Sequence, residues 1–390
     1  MFCLSVEQMS GQVLTLEVSP EMTVRELKQK LRILRPSEDE LVRQITKVDL
    51  VVNGKSLQNN NTNLDEAGIS AASAVQVLYT IDSVECSRKE DSCCHAQDLL
   101  AVVIPSHVVR IDQEAFCNCN SLASVTIPDS VTRFEAGAIQ NCTSLVSAKI
   151  PDSLTHIGRR AFSFCRSLRN LTIGNSVVLI GEASFRDCSS LRSLVIPDSV
   201  KDIGSWAFEG CSSLESVTIP DSVIYFGEDA FKGCTALKSV TIPRSMVHIG
   251  PGAFSACTAL TSLTIPGSVT YIEGGAFANC RSLPSLTLPA SLIIIGDTAF
   301  KGCSSLQTLT IPNSVRELGF HAFEGCTSLV SVNIPDSVKS IGDGAFNGCT
   351  SLTTVRVPSA WRFRKISIGP GAFDGCPAQP ELERAGCQVQ

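Results

Sequence analysis

The chain has 390 residues, of which 44% are hydrophobic and 18% charged, and a formal net charge of −6; it can bury a large core, and its mildly acidic balance argues against nucleic acid as a partner. No basic patch is visible, residues 1–10 carry no charged segment followed by an apolar run, and the run 99–104 is far too short to cross a bilayer. The expectation is a soluble cytoplasmic or nuclear protein with no membrane contact. In chain order, Phe2 to Val6 and Val13 to Val18 read as strands around a Ser10-Gly11 turn, a hairpin signal. Thr23 can cap a following helix with Glu26 as its capping-box partner, Val24, Leu27 and Leu31 share one face, and the helix should end near Leu34, before Pro36. Val48 to Val52 reads as a strand, Asn53-Gly54 as a turn and Val75 to Tyr79 as a last strand. This β-β-α-β-β order defines a small α+β domain over residues 1–80.

Residues 81–98 lose all periodicity and read as a linker. Cys86, Cys93, Cys94 and His95 lie there, but a Cys-Cys-His run with one cysteine upstream matches no zinc-ligand spacing. No metal site is expected.

From residue 99 to 376 one phrase repeats every 23 residues, C-x-x-L-x-x-V-x-I-P-D-S-V-x-x-I-G-x-x-A-F-x-x. Its strand-ending dipeptide falls at Ile104-Pro105 and then at twelve positions in all to Val357-Pro358 without a slip, Gly174 replacing proline once. Such a period is the mark of a solenoid. Leu122, Val125 and Ile127 alternate with Ser124 and Thr126, giving each unit a short strand with one apolar and one hydroxyl face. The proline donates no hydrogen bond and stops the strand. The Gly-x-x-Ala-Phe segment predicts a second layer, a short strand followed by one helical turn. No unit buries its apolar columns alone; stacking does, at roughly 1.5–3 kcal/mol per large side chain.

Twelve of the 18 cysteines, Cys119 to Cys376, belong to this frame. Stacked equivalents point the same way rather than at each other, so they read as reduced thiols acting as small hydrophobes. Cys117 reads as a solvent-side substitution in the first unit. None of the five histidines sits with a nucleophile and an orienting carboxylate, and no glycine-rich phosphate loop is present. No enzymatic activity and no cofactor are expected.

The outward column of the first strand is nearly all threonine from Thr126 to Thr310, a choice of strand propensity. The outward column of the second strand varies, and runs through His156, Tyr225, His248 and Tyr271, with Trp206 nearby. Aromatic residues concentrate in binding hot spots, which makes the units from Trp206 to Tyr271 the preferred contact patch. Four extra residues fall within 359–370, bringing Trp361 and Phe363. This insertion is expected to bulge from the last unit, and residues 377–390 to cap the open end.

C-x-x-L-x-x-V-x-I-P with I-G-x-x-A-F resembles the BspA-type leucine-rich repeats. The resemblance implies a curved parallel-sheet solenoid that binds macromolecules and performs no chemistry. Residues 1–80, through V-E-Q-M-S-G-Q-V-L-T-L-E-V and L-V-V-N-G-K-S-L, resemble ubiquitin-like domains. That resemblance implies a β-grasp fold, puts Met9, Val51 and Leu78 where ubiquitin carries its receptor-binding apolar patch, and, with no Gly-Gly end after Thr80-Ile81, implies a domain that is not conjugated. Together they imply an adaptor, a client protein on the solenoid and a ubiquitin or proteasome-type receptor on the first domain; the alternative is a recognition scaffold whose first domain is only a cap.

Overall fold

The alternation in each Ser-Val-Thr triplet leaves one buried side chain per strand, too little to hold a strand by itself, so each triplet lies against its equivalent one turn away. The computed structural model describes residues 2–7, 13–18, 45–52, 55–56, 75–81, 101–104, 106–357 and 367–378, with side chains from residue 101 onward. Among these residues twelve three-residue first strands, Ala101–Val103 to Thr354–Arg356, enclose eleven turns of a solenoid. Each pairs in parallel with its equivalents, as Ser239, Val240 and Thr241 do with Ser262, Leu263 and Thr264. Twelve two-residue second strands, Arg110–Ile111 to Ser367–Ile368, do the same. The expected parallel-sheet solenoid is therefore found.

The return segment departs from expectation. In place of a helical turn it is a run of tight turns with bonds such as Ala253 N–H to Gly250 O (3.2 Å), and no helix is assigned among the described residues. Two residues in each such segment take positive φ, for example Gly252 (59°) and Ala256 (58°), which interrupts helical continuation. The segments instead bond to the next turn, as Phe254 N–H does to Ala276 O at 2.8 Å, forming a third ladder. The glycine ahead of it, replaced by Asp112, Glu135 and Glu273 in three units, has a steric cause where it occurs: a Cβ on Gly227 would fall inside the backbone of Gly204 and Ser205.

Inside, ten phenylalanine rings from Phe162 to Phe373 stack in an unbroken column with centroids 5.1–5.7 Å apart. Near-parallel rings at that separation are offset-stacked. Ile139 stands in this column, and the same turn carries Phe134 in place of the usual isoleucine of the second strand. The Phe134 ring stacks on Phe162 at 5.2 Å, so the turn supplies its ring from a different position. Serine of the Asp-Ser pair clips neighbouring turns together; Ser222 donates to Val200 O at 2.8 Å and Ser199 to Val177 O at 2.6 Å.

Neither strand ladder is continuous. The second-strand ladder is interrupted after Phe134 and after Phe226, the two places where a ring replaces isoleucine or leucine in its inward column; the larger side chain holds the next turn off. The first-strand ladder is interrupted between 170–172 and 193–195 and between 262–264 and 285–287. At the latter Pro284 lacks the N–H that Thr261 gives to Lys238 O one turn earlier (2.9 Å). Nothing in these turns explains the former.

The N-terminal strands are β1 (Phe2–Glu7), β2 (Val13–Val18), β3 (Ile45–Val52), β4 (Lys55–Ser56) and β5 (Val75–Ile81), near the bounds expected from sequence. β1 pairs antiparallel with β2 and parallel with β5; β3 pairs antiparallel with β4 and β5. The end of β5 also pairs in parallel with the first solenoid strand, β6 (Ala101–Val103), through Tyr79 with Val102 and Thr80 with Val103. The expected helix of residues 24–34 and most of the expected linker lie outside the described residues. So do Trp361, Phe363 and residues 379–390. The four-residue insertion falls between Thr354–Arg356 and Ser367–Ile368, and the chain after it returns to the stack, Ala378 N–H bonding Leu352 O at 3.0 Å.

Candidate functional site

A two-residue strand has room for one inward side chain, and the residue ahead of it stands at a corner. The second-strand face thus presents two consecutive residues per turn, exposed or half-exposed, between buried neighbours. Ile224 and Tyr225 are 59% and 56% exposed between buried Val223 and Phe226. One turn on, Val247 is 45% exposed and the His248 ring lies over Tyr271, centroids 4.6 Å apart at 14°. Glu273 Oε1 approaches His248 Nδ1 at 3.6 Å. Tyr225, His248 and Tyr271 therefore occupy one face on three consecutive turns. Ile224 and Val247 were missed by reading one outward residue per strand; the variable residue ahead of each second strand was the available signal.

The remaining candidates lie elsewhere. His156 is exposed on the same face three turns before Tyr225, its Nδ1 2.8 Å from Thr155 Oγ1. Trp206 stands in the turn ladder, half-buried, with φ 57° where other turns carry Gly137, Gly252 or Gly275. Met9 and the side chains of Val51 and Leu78 lie outside the described residues; the latter two residues fall in β3 and β5.

The cysteine column does more than fill space. From Cys142 to Cys376 each Sγ donates to the main-chain carbonyl of residue 26 earlier, or 30 earlier across the insertion, at 3.0–3.4 Å, for example Cys234 to Phe208 O and Cys376 to Phe346 O. All thirteen described cysteines are buried and none is in a disulfide; Cys117 is among them, which corrects its assignment to the solvent side. Burial pushes the Cys211 and Cys257 thiols up to about 12, and raises those of Cys234, Cys280 and Cys303 as well. Such thiols are neither nucleophiles nor metal ligands at neutral pH. Among the described residues no group of His, Cys, Asp or Glu is arranged to hold a metal ion, and no helix is long and apolar enough to cross a membrane. Ion pairs between neighbouring turns, such as Arg159 with Glu182 (2.8 Å) and Arg186 with Glu209 (3.0 Å), line the turn ladder; burial raises the Glu209 carboxyl despite Arg186.

The BspA type Leucine rich repeat region matches residues 89–215, 178–297 and 270–379, and the chain belongs to that family. A leucine-rich repeat protein from Bacteroides ovatus ATCC 8483 is 27% identical with a TM-score of 0.64, over 85% of this chain and 91% of its own. A leucine rich cell surface protein from Faecalibacterium prausnitzii A2-165 is 32% identical with a TM-score of 0.50, over 78% of this chain and 89% of its own. No curated protein matches. Solenoids of this kind are binding scaffolds that work through extended surfaces.

Proposed function

We propose that this chain is a non-enzymatic protein-interaction scaffold that holds a protein client on its second-strand face. The observation that carries the reading is the exposed run of Ile224, Tyr225, Val247 and His248, with half-buried Tyr271 stacked on His248, in a chain whose other strand face is hydroxyl-lined; contiguous apolar patches on a protein surface mark interaction sites. Capture of a partner by the full chain should be lost on Tyr225→Ala with Tyr271→Ala while the melting temperature holds. Undiminished capture would remove the site.

The finer reading is an adaptor whose first module docks a ubiquitin or proteasome-type receptor. The mixed pairing of β5, parallel to β1 and antiparallel to β3, supports a β-grasp module, and the register of Asp49 with Leu78 and Val51 with Gln76 is compatible with Val51 and Leu78 sharing a face. The continuous pairing of β5 with β6 favours the second reading, a module that caps the solenoid. Val51→Asp in the full chain separates them: an adaptor loses a receptor and keeps its stability, whereas a cap loses stability and had no receptor to lose. A cytoplasmic or nuclear setting is part of the proposal, supported by the buried free thiols; intact-mass alkylation of the cellular protein that found linked cysteines would reverse it.

A further inference from the structure

We propose that the second-strand face mediates self-association: two copies lie parallel, turn against like turn, about a two-fold axis that runs along the solenoid. The inference rests on the protein-docking reading of this face and names the occupant. The two outward columns, the residue ahead of each second strand and its first residue, carry no charged group over four consecutive turns and are apolar or aromatic at every position but Thr270: Ile224–Tyr225 and Val247–His248 are exposed, Thr270–Tyr271 and Ile293–Ile294 half-buried. Charged pairs bracket this run on both sides, Lys201–Asp202 one turn before it and Arg316–Glu317 one turn after. In both pairs the base precedes the acid, so the basic residues share one column and the acidic residues the other. Lys201, Arg316 and Glu317 are exposed and Asp202 half-exposed, and no ion pair within the described residues engages any of the four.

This ordering chooses between the possible neighbours. An axis along the solenoid keeps the turn order and exchanges the two columns, so Lys201 of one copy meets Asp202 of the other, and Arg316 meets Glu317. An axis across the solenoid reverses the turn order and keeps the columns, so Lys201 meets Arg316 and Asp202 meets Glu317, like charges at both ends. Self-complementarity is what an isologous contact requires, and like-charge apposition suppresses the wrong alignment. The parallel arrangement also sets Ile224 against Tyr225 and Val247 against His248 in every apolar turn, closing the exposed run from both sides.

Sedimentation of the full chain over a concentration series tests this. The expected result is a monomer–dimer equilibrium that Lys201→Glu weakens about tenfold, because it sets two acids against each other, and that the exchange Lys201→Asp with Asp202→Lys restores. Tyr271→Ser should weaken it too, with circular dichroism and melting temperature unchanged. A chain monomeric at its highest soluble concentration overturns the proposal, as does tightening by Lys201→Glu, which would signal the antiparallel alignment. If a monomeric chain still captures another protein through Tyr225 and Tyr271, self-association falls and the docking reading stands. If capture is also absent, both fall.

Discussion

The two strand faces share one 23-residue spacing and carry opposite surfaces. On the first-strand face a Thr-rich column runs from Thr126 to Thr310 almost without change; on the second-strand face, Lys201–Asp202, Ile224–Tyr225 and Arg316–Glu317 follow one another within six turns. Both faces lie over the same Phe, Leu and Cys columns and meet the same packing demands. Uniformity on one face therefore reflects what a parallel strand tolerates, and variety on the other reflects something outside the fold. If that contrast is sound, changes beneath the faces alter stability strongly, and changes upon them separate into those that alter binding and those that alter nothing.

The largest expected effect is alkaline unfolding. The folded chain keeps its thiols protonated, with Cys211 and Cys257 raised to about 12, whereas an unfolded cysteine ionises near 8.5. A raised folded value means that the stabilisation is complete below about pH 8.5 and is lost as pH climbs towards 12, by about 1.4 kcal/mol per pH unit for each such thiol. Denaturant titrations from pH 8 to 11 should show this summed slope, and Cys211→Ala should lower it by one thiol's share. Next, Phe208→Ala opens a hole between two stacked rings, Phe185 and Phe231, and should cost about 3–5 kcal/mol by equilibrium unfolding. Cys234→Ala removes a small buried group and a weak S–H donor while Phe208 O keeps the Cys211 N–H at 3.2 Å; about 1 kcal/mol is expected. Smallest for stability are Tyr225→Ala and Thr241→Ala, both within about 0.5 kcal/mol. Only the tyrosine change should abolish partner capture, and a loss with Thr241→Ala would reverse the assignment of the faces.

Much of this architecture was legible because a fixed period converts sequence columns into spatial columns. The strands, their parallel stacking and the buried Leu, Phe and Cys positions all follow from it; the interruption at Pro284 was not anticipated. Other features needed the third dimension. The Sγ to carbonyl bond joins residues 26 apart, three more than the period, so no column contains both partners. The return segment reads as helical from Gly-x-x-Ala-Phe, but the paired positive-φ residues are shared among Gly, Asn, Asp, Ala and even Trp206, leaving no single residue type to betray them. Ile224 and Val247 escaped because strict alternation fails in a strand of two residues. The joining of β5 to β6 escaped because it crosses from one kind of sequence to another, where no periodicity connects the partners.

The four interruptions have a consequence for how the rod bends. Counted by turns, they fall between the second and third, the fourth and fifth, the sixth and seventh and the eighth and ninth, alternating between the second-strand and first-strand faces. No junction is open on both faces, so one strand ladder and the return-segment ladder, for example Phe231 N–H to Ala253 O at 2.8 Å, cross every junction. Each opening relaxes the rod in one direction, and the next, two turns on, relaxes it in another. The expected result is a compliance like that of a series of universal joints, with the phenylalanine column from Phe162 to Phe373 unbroken throughout.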